Sequence, residues 1–140
     1  MNARPNSFRL EKPSSTISDP SVIDITVLNK IVDAISNADL YESEDEPRPH
    51  ALLITKTAKA LSGISVAKAE IAPFFGEINV TWKEGGIRVK ATFGPDPALF
   101  SVYRERFEEG HVTQSHLEEN ANLDYLEASL QWLADPFVNV

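Results

Sequence analysis

Residues 76–96 read GEINVTWKEGGIRVKATFGPD, with apolar residues alternating on both sides of a Glu-Gly-Gly turn. Alternation with a period of two is typical of a strand that buries one of its faces. Two such segments around a glycine-rich turn predict an antiparallel β-hairpin. With the turn at 83–86, the predicted apolar pairs are Trp82 with Ile87, Val80 with Val89, and Ile78 with Ala91.

The residues between these apolar positions must project together from the other face of the hairpin. They form a surface, called the basic patch, that consists of Asn79, Thr81, Lys83, Arg88 and Lys90. In the predicted register Arg88 lies across from Thr81, and Lys90 lies across from Asn79. Three interpretations of the basic patch remain: the solvated face of a one-sided sheet, a docking site for an acidic partner or for the chain's own acidic tail, and a nucleic-acid site. The nucleic-acid site is the least favoured, since the patch has only three cations and no aromatic residue between them to stack on bases.

Helices and further strands are predicted on both sides of the hairpin. The predicted helices cover 24–40, 51–62 and 122–134, and the predicted flanking strands cover 69–72 and 98–107. Asp24 is the expected N-cap of the first helix. The expected inward residues of that helix are Leu28, Ile31, Val32 and Ile35. The fold class is therefore α+β: N-terminal helices, an antiparallel three- to four-stranded meander, and a C-terminal helix packed on the sheet.

Length and composition indicate one globular domain. The chain has 140 residues, enough for a self-sufficient core. Residues 1–20 contain three prolines and no sustained period, so we expect a flexible N-terminal arm followed by a single domain over 21–140. No apolar run is long enough to span a bilayer, and the first residues lack the apolar core of a secretory signal. We therefore expect a cytoplasmic protein without membrane contact.

Charge is unevenly distributed along the chain. The net charge is -8, yet residues 50–104 carry seven bases and four acids, whereas 105–140 carry eight acids and one base. An acidic balance opposes attraction to phosphates, so direct nucleic-acid binding is not expected. The carboxylates of 105–135 and of the proline-flanked loop 42–46, which we predict to be solvated, suggest an alternative function. The chain would then be an acidic nucleic-acid mimic from a phage.

Catalytic and metal-binding motifs are missing from the sequence. The chain contains no cysteine, which excludes thiolate nucleophiles and cysteine-based zinc sites. His111 and His116 are five residues apart and match no zinc motif, and no nucleophile elbow or phosphate-binding glycine loop occurs. We predict no catalytic residue, no cofactor and no metal. The alternative from another functional class is a small hydrolase or nuclease that uses Glu108, Glu109 and His111.

Aromatic residues add candidate contacts for another protein. Phe74 and Phe75 follow Pro73 in a turn, where one of them serves as an exposed anchor or both cap the core. Tyr103 lies in the predicted strand 98–107. The candidate protein-binding residues are Phe74, Phe75, Arg88, Lys90 and Tyr103.

A recurrent hairpin pattern covers residues 51–105. Its matching residues are Pro73, Gly76, Ile78, Trp82, Gly86, Ile87 and Val89. Through them the chain resembles small bacterial proteins that are often encoded in short operons beside another small gene. The resemblance implies a non-enzymatic protein-binding module, the neutralising or accessory component of a toxin–antitoxin, immunity or phage-defence system, with a small bacterial protein as partner. A homodimer is also compatible with the sequence.

Overall fold

The computed structural model describes residues 23–94 and 100–135, which form three helices and one five-stranded antiparallel sheet. The helices are α1 (Ile25–Ile35), α2 (Ala51–Ala60) and α3 (Leu123–Ala134), with a short 3-10 turn at Ala38–Leu40. The strands are β1 (Glu70–Phe74), β2 (Glu77–Glu84), β3 (Ile87–Phe93), β4 (Phe100–Glu108) and β5 (His111–Glu118). The strands lie side by side in chain order, so the sheet is a meander and the predicted α+β class is confirmed. The predicted N-terminal arm lies outside the described residues.

The helices are short, and none of those described is long and apolar enough to cross a membrane. At the start of α1 the Asp24 carboxylate accepts hydrogen bonds from the backbone N–H groups of Thr26 at 2.9 Å and Val27 at 3.4 Å. It thereby satisfies two of the donors that a helix leaves free at its first turn, which confirms the predicted N-cap. The predicted inward position of Val32 was wrong. The buried stripe runs through Val27 and Ile31, which leaves Val32 at its flank, 41% exposed.

The core lies between the helices and one face of the sheet. Its fully buried members include Ile31 of α1, Leu53 of α2, Val80 of β2, Val89 of β3 and Leu126 of α3. Burial of each such side chain stabilises the fold by about 2 kcal/mol relative to exposure. The opposite face of the sheet, called the open face, carries the residues between these positions.

The central hairpin is tighter than predicted. Its observed pairs are Glu84 with Ile87, Trp82 with Val89, Val80 with Ala91, and Ile78 with Phe93. The predicted pairs were therefore wrong by two residues. The turn contains only Gly85 and Gly86, and Gly85 has a φ of +58°, as two-residue hairpin turns favour. Because a shift of two residues preserves the alternation, every apolar side chain still lies on the predicted face.

A fifth strand was missing from the predicted meander. β5 returns along β4 through a turn at Glu109 and Gly110, whose φ angles are +52° and +81°. Residues 111–117 are all exposed. Since neither face of β5 is buried, its sequence shows no alternation of apolar and polar residues.

Gly86 offers a direct test of this hairpin. A Cβ atom at Gly86 would lie 2.6 Å from the backbone carbonyl oxygen of Phe107, which cannot move without disturbing β4. We expect Gly86→Ala to lower the free energy of unfolding by about 2 kcal/mol, measured by urea denaturation. At the neighbouring Gly85 a Cβ meets no atom within 4 Å, and asparagine tolerates a positive φ. Gly85→Asn should therefore be nearly neutral, and equal losses in both variants would contradict the steric explanation.

Candidate functional site

The open face brings most of the predicted binding residues onto one surface. Phe74 of β1, Lys90 of β3 and Tyr103 of β4 all occupy register positions that alternate with buried core residues. The predicted neighbours within the basic patch were wrong by two positions. The structure places Arg88 beside Lys83, and Lys90 beside Thr81.

A charged network occupies the centre of the open face. Arg88 Nη2 contacts Glu105 Oε2, and the Tyr103 hydroxyl donates a hydrogen bond to Glu105 Oε1 at 2.7 Å. Glu105 is only 2% exposed although it lies on the open face. A buried carboxylate requires such partners, because removal of a charge from water is costly. The charge of Arg88 is thus neutralised within the chain.

Tyr103 is fixed by the same network. Its hydrogen bond to Glu105 raises the pKa of the Tyr103 phenol, and burial and the carboxylate charge raise it further. A hydrogen bond with Ser115 and the charge of Arg88 act in the opposite direction. The phenol therefore keeps its proton throughout the physiological pH range, and Tyr103 acts as a hydrogen-bond donor.

Lys90 differs from Arg88 in its surroundings. It lies between Thr81 on β2 and Tyr103 on β4. Within the part of the chain that the structure describes, Lys90 makes no ion pair. Its positive charge therefore has no acidic partner among the described residues.

Phe74 and Phe75 form an exposed aromatic pair at the β1–β2 connection, called the aromatic turn. Phe74 ends β1, and Phe75 forms the two-residue turn with Gly76. The rings are 49% and 48% exposed, with centroids 4.8 Å apart and planes at 82°. Neither ring caps the core, so of the two predicted alternatives the exposed position is the observed one.

The backbone of Phe75 is strained. Its φ of +48° lies in the left-handed region, which costs a residue other than glycine roughly 1–2 kcal/mol. Glu46 holds this conformation, since its Oε2 accepts a hydrogen bond from the Phe75 N–H at 2.8 Å. Its Oε1 accepts another from the Glu42 N–H, also at 2.8 Å. The prediction of a solvated 42–46 loop was therefore wrong for Glu46, which is buried between loop and turn.

These hydrogen bonds also set the ionisation of Glu46. The bond from the Phe75 N–H, and then that from Glu42, lower the pKa of Glu46, with a smaller contribution from the charge of Arg48. Burial acts in the opposite direction but is outweighed. Arg48 is itself held over the Tyr41 ring, with its guanidinium carbon 3.4 Å from the ring centroid. The segment before α2 thus holds the backbone of the aromatic turn through the carboxylate of Glu46.

The residues of the hydrolase alternative lie on an exposed tip. Glu108, Glu109 and His111 surround the β4–β5 turn, and all three are exposed. In the described ranges, no three potential ligand side chains are grouped to hold a metal ion. An open groove of about 490 Å³ lies between α3 and the end of β2, lined in part by Trp82 and Leu130. No histidine lines this groove.

Sequence analysis missed two structurally important acids, Glu46 and Glu105. Both belong to the acidic segments of the nucleic-acid-mimic alternative, yet both carboxylates are occupied inside the fold. Alternation along β4 places Glu105 on the same face as Tyr103, so a correct β3–β4 register would have revealed its pairing with Arg88. No local signal identifies Glu46, because its acceptor role depends on a backbone N–H 29 residues away.

Arg88 and Glu105 should behave as a pair. Arg88→Leu leaves a buried carboxylate without its cation, and we expect the free energy of unfolding to fall by about 2 kcal/mol, since partial exposure of Arg88 softens the full penalty. The double variant Arg88→Leu/Glu105→Leu replaces the pair by apolar contact and should recover most of that loss. Urea denaturation of the single and double variants measures the coupling. Strictly additive losses would contradict it.

Comparison of wild type with Glu46→Gln should reveal a pH-dependent contribution of Glu46 to stability. Because the folded-state pKa of Glu46 is lowered, its charge stabilises the fold at neutral pH. This contribution decreases as the pH falls from about 4.3, the ordinary pKa of glutamate, through the lower pKa of the folded state. The stability difference between wild type and Glu46→Gln should shrink over that range in urea denaturation. Glu44→Gln, at an exposed position of the same loop, is the matched control in the same measurement.

Comparison with known proteins gives no further guide to this surface. No protein-family model, curated protein or solved structure matches the chain. The resemblance to small operon-encoded bacterial proteins therefore stays a prediction. Function is inferred from the chain's own surface, on which the aromatic turn, Lys90 and Tyr103 lie close to one another along the open face.

Proposed function

We propose that this chain is a non-enzymatic protein-binding module that docks through the aromatic turn and the adjoining open face. The observation that carries this proposal is the pair of exposed phenylalanine rings on a strained turn that Glu46 holds in place. Aromatic side chains on a fixed backbone give large contact area with little loss of conformational freedom, as interface hot spots do. Backbone strain of this kind clusters at binding sites.

The chemistry of the partner follows from the residues beside the turn. On the same face as Phe74, Lys90 lies two strands away and four register positions along, about 10 Å across the sheet and about 13 Å along it. A typical interface of about 800 Å² per partner spans that distance. The partner therefore presents an apolar cleft for the rings and an acidic group for Lys90. Tyr103, with its hydroxyl bound to Glu105, adds an aromatic contact next to Lys90.

The cellular setting is a separate part of the proposal. We take the partner to be a small protein encoded by a neighbouring gene in the bacterial cytoplasm. The chain would then be the neutralising or accessory component of a toxin–antitoxin, immunity or phage-defence pair. The support for this setting is the sequence resemblance, whereas the support for protein binding is the exposed aromatic turn.

Phe75→Gly separates binding from folding. Glycine adopts a positive φ without strain, so the variant should be as stable as wild type or more stable by about 1 kcal/mol in urea denaturation. Loss of one exposed ring should nevertheless weaken partner binding by about tenfold or more. Lower binding together with unchanged or higher stability would be the signature of a docking residue.

The matched control for this variant is Ile25→Ala. Ile25 is 63% exposed and is the first residue of α1. The other end of that helix, about 15 Å away, is where the Tyr41 hydroxyl donates a hydrogen bond to the Ile35 carbonyl. Partner capture from the native host would be compared for four tagged chains: wild type, Phe75→Gly, Lys90→Glu and Ile25→Ala. Mass spectrometry would identify the captured proteins, and calorimetry would measure binding of each chain to the purified neighbouring gene product. We expect Phe75→Gly and Lys90→Glu to lose a protein that Ile25→Ala keeps. Equal capture by all four chains would contradict docking at this surface.

A further inference from the structure

The two edges of the sheet differ in their protection. β1 contains Pro73, which has no backbone N–H to offer, and α1 packs against this strand. β5 contains no proline, lysine or arginine, and in the described part of the chain its only neighbouring strand is β4. Prolines, charged residues and β-bulges are common means of preventing strand addition at an edge. In β5 the acid Glu118 is the last residue and a bulge lies opposite Phe107, and the stretch between them carries neither proline nor a charged side chain of Lys, Arg, Asp or Glu. β5 is therefore open to pairing with another strand.

A β-bulge determines how β5 presents its side chains. Leu117 pairs with Tyr103, and Val112 pairs with Phe107. Residues five apart would face opposite sides of a regular strand, but the register shift beside Phe107 inserts Thr113 as an extra residue. Val112 and Leu117 consequently both face the open side of the sheet, where they are 50% and 51% exposed.

We propose that two copies of this chain associate through antiparallel pairing of their β5 strands about a two-fold axis at Ser115. The opposed residues are Ser115 with Ser115, His116 with Gln114, Leu117 with Val112, and Glu118 with His111. Thr113 stays the extra residue in both strands, so each opposed pair shares a face. The two five-stranded sheets then form one continuous sheet of ten strands.

The self-complementarity of β5 supports a second copy as the occupant. Each Val112 meets a Leu117, so both exposed apolar residues of each chain are covered at once. Phe107 pairs with Val112 in one copy, and Leu117 pairs with Tyr103 in the other. In the dimer these four side chains form one continuous row across four strands, and neighbouring apolar side chains of this kind stabilise a sheet. Moving the axis to His116 would place Leu117 opposite Ser115 and leave Val112 uncovered.

The ends of the strand agree with the same register. Glu118 of each copy lies opposite His111, so a carboxylate that accepts hydrogen bonds meets an imidazole N–H that can donate one. Within one chain Glu118 Oε1 is already 3.0 Å from His116 Nε2, so the carboxylate lies between two imidazoles in the dimer. This pairing is independent of the proposed docking function, because the aromatic turn lies at the opposite edge of the sheet and stays accessible in both copies.

Charge exchange at the apolar contact tests the dimer and its register together. Val112→Glu and Leu117→Lys each place a charge opposite an apolar residue, and each should raise the Kd of the homodimer by about tenfold or more. The double variant Val112→Glu/Leu117→Lys places glutamate opposite lysine at both contacts and should recover association. An equimolar mixture of the two single variants should likewise recover it, through one charged and one apolar contact. Both side chains are exposed in the monomer, and circular dichroism would verify that each variant is folded.

Sedimentation velocity over a wide range of chain concentration provides the readout. The expected result is a concentration-dependent shift from the 15.5 kDa monomer to a species of twice that mass. The single variants should need about tenfold or more higher concentration for the same shift, and the double variant and the mixture should return it towards the wild-type range. A monomer at every concentration would overturn the proposal. So would a dimer that is insensitive to both single variants, a double variant that stays monomeric, or occupation of β5 by a different protein.

Discussion

The alternation of side chains along the central strands determines what each face of the sheet carries. Core residues such as Val80 and Val89 lie against the helices, so the residues between them must emerge on the open face whatever their chemistry. Arg88 and Glu105 are placed there by this geometry, and they neutralise each other. The open face is therefore partly a self-contained polar layer and partly an accessible surface, with Lys90 and the aromatic turn in the second category.

Sequence patterns predicted the helices and strands that bury one face, because burial of one face gives their apolar residues a regular spacing. The central hairpin, the three helices and the side on which the helices pack all follow from apolar spacing. The hairpin register did not, because both registers keep Trp82 and Val89 on one face, and only the two-residue turn at Gly85 and Gly86 distinguishes them. β5 gave no signal, since an edge strand exposed on both sides has no reason to alternate.

In the candidate site, too, some features could be predicted from local spacing and others could not. Exposure of Phe74 and the position of Lys90 on the open face follow from local spacing, whereas the pairing of Arg88 with Glu105 depends on contact between separate strands. That pairing changes how function can be tested. A charge reversal at Arg88 would disturb folding before it reported on binding, so Lys90 is the more informative position.

The bond from Glu46 to Phe75 makes the orientation of two solvent-facing rings depend on a carboxylate from a distant stretch of chain. Insertion or deletion of a single residue before α2 would shift this carboxylate and tilt the rings, while the helices and sheet beneath stayed intact. Divergence in loop length alone could thus redirect partner choice over evolutionary time, with no compensating change in the scaffold.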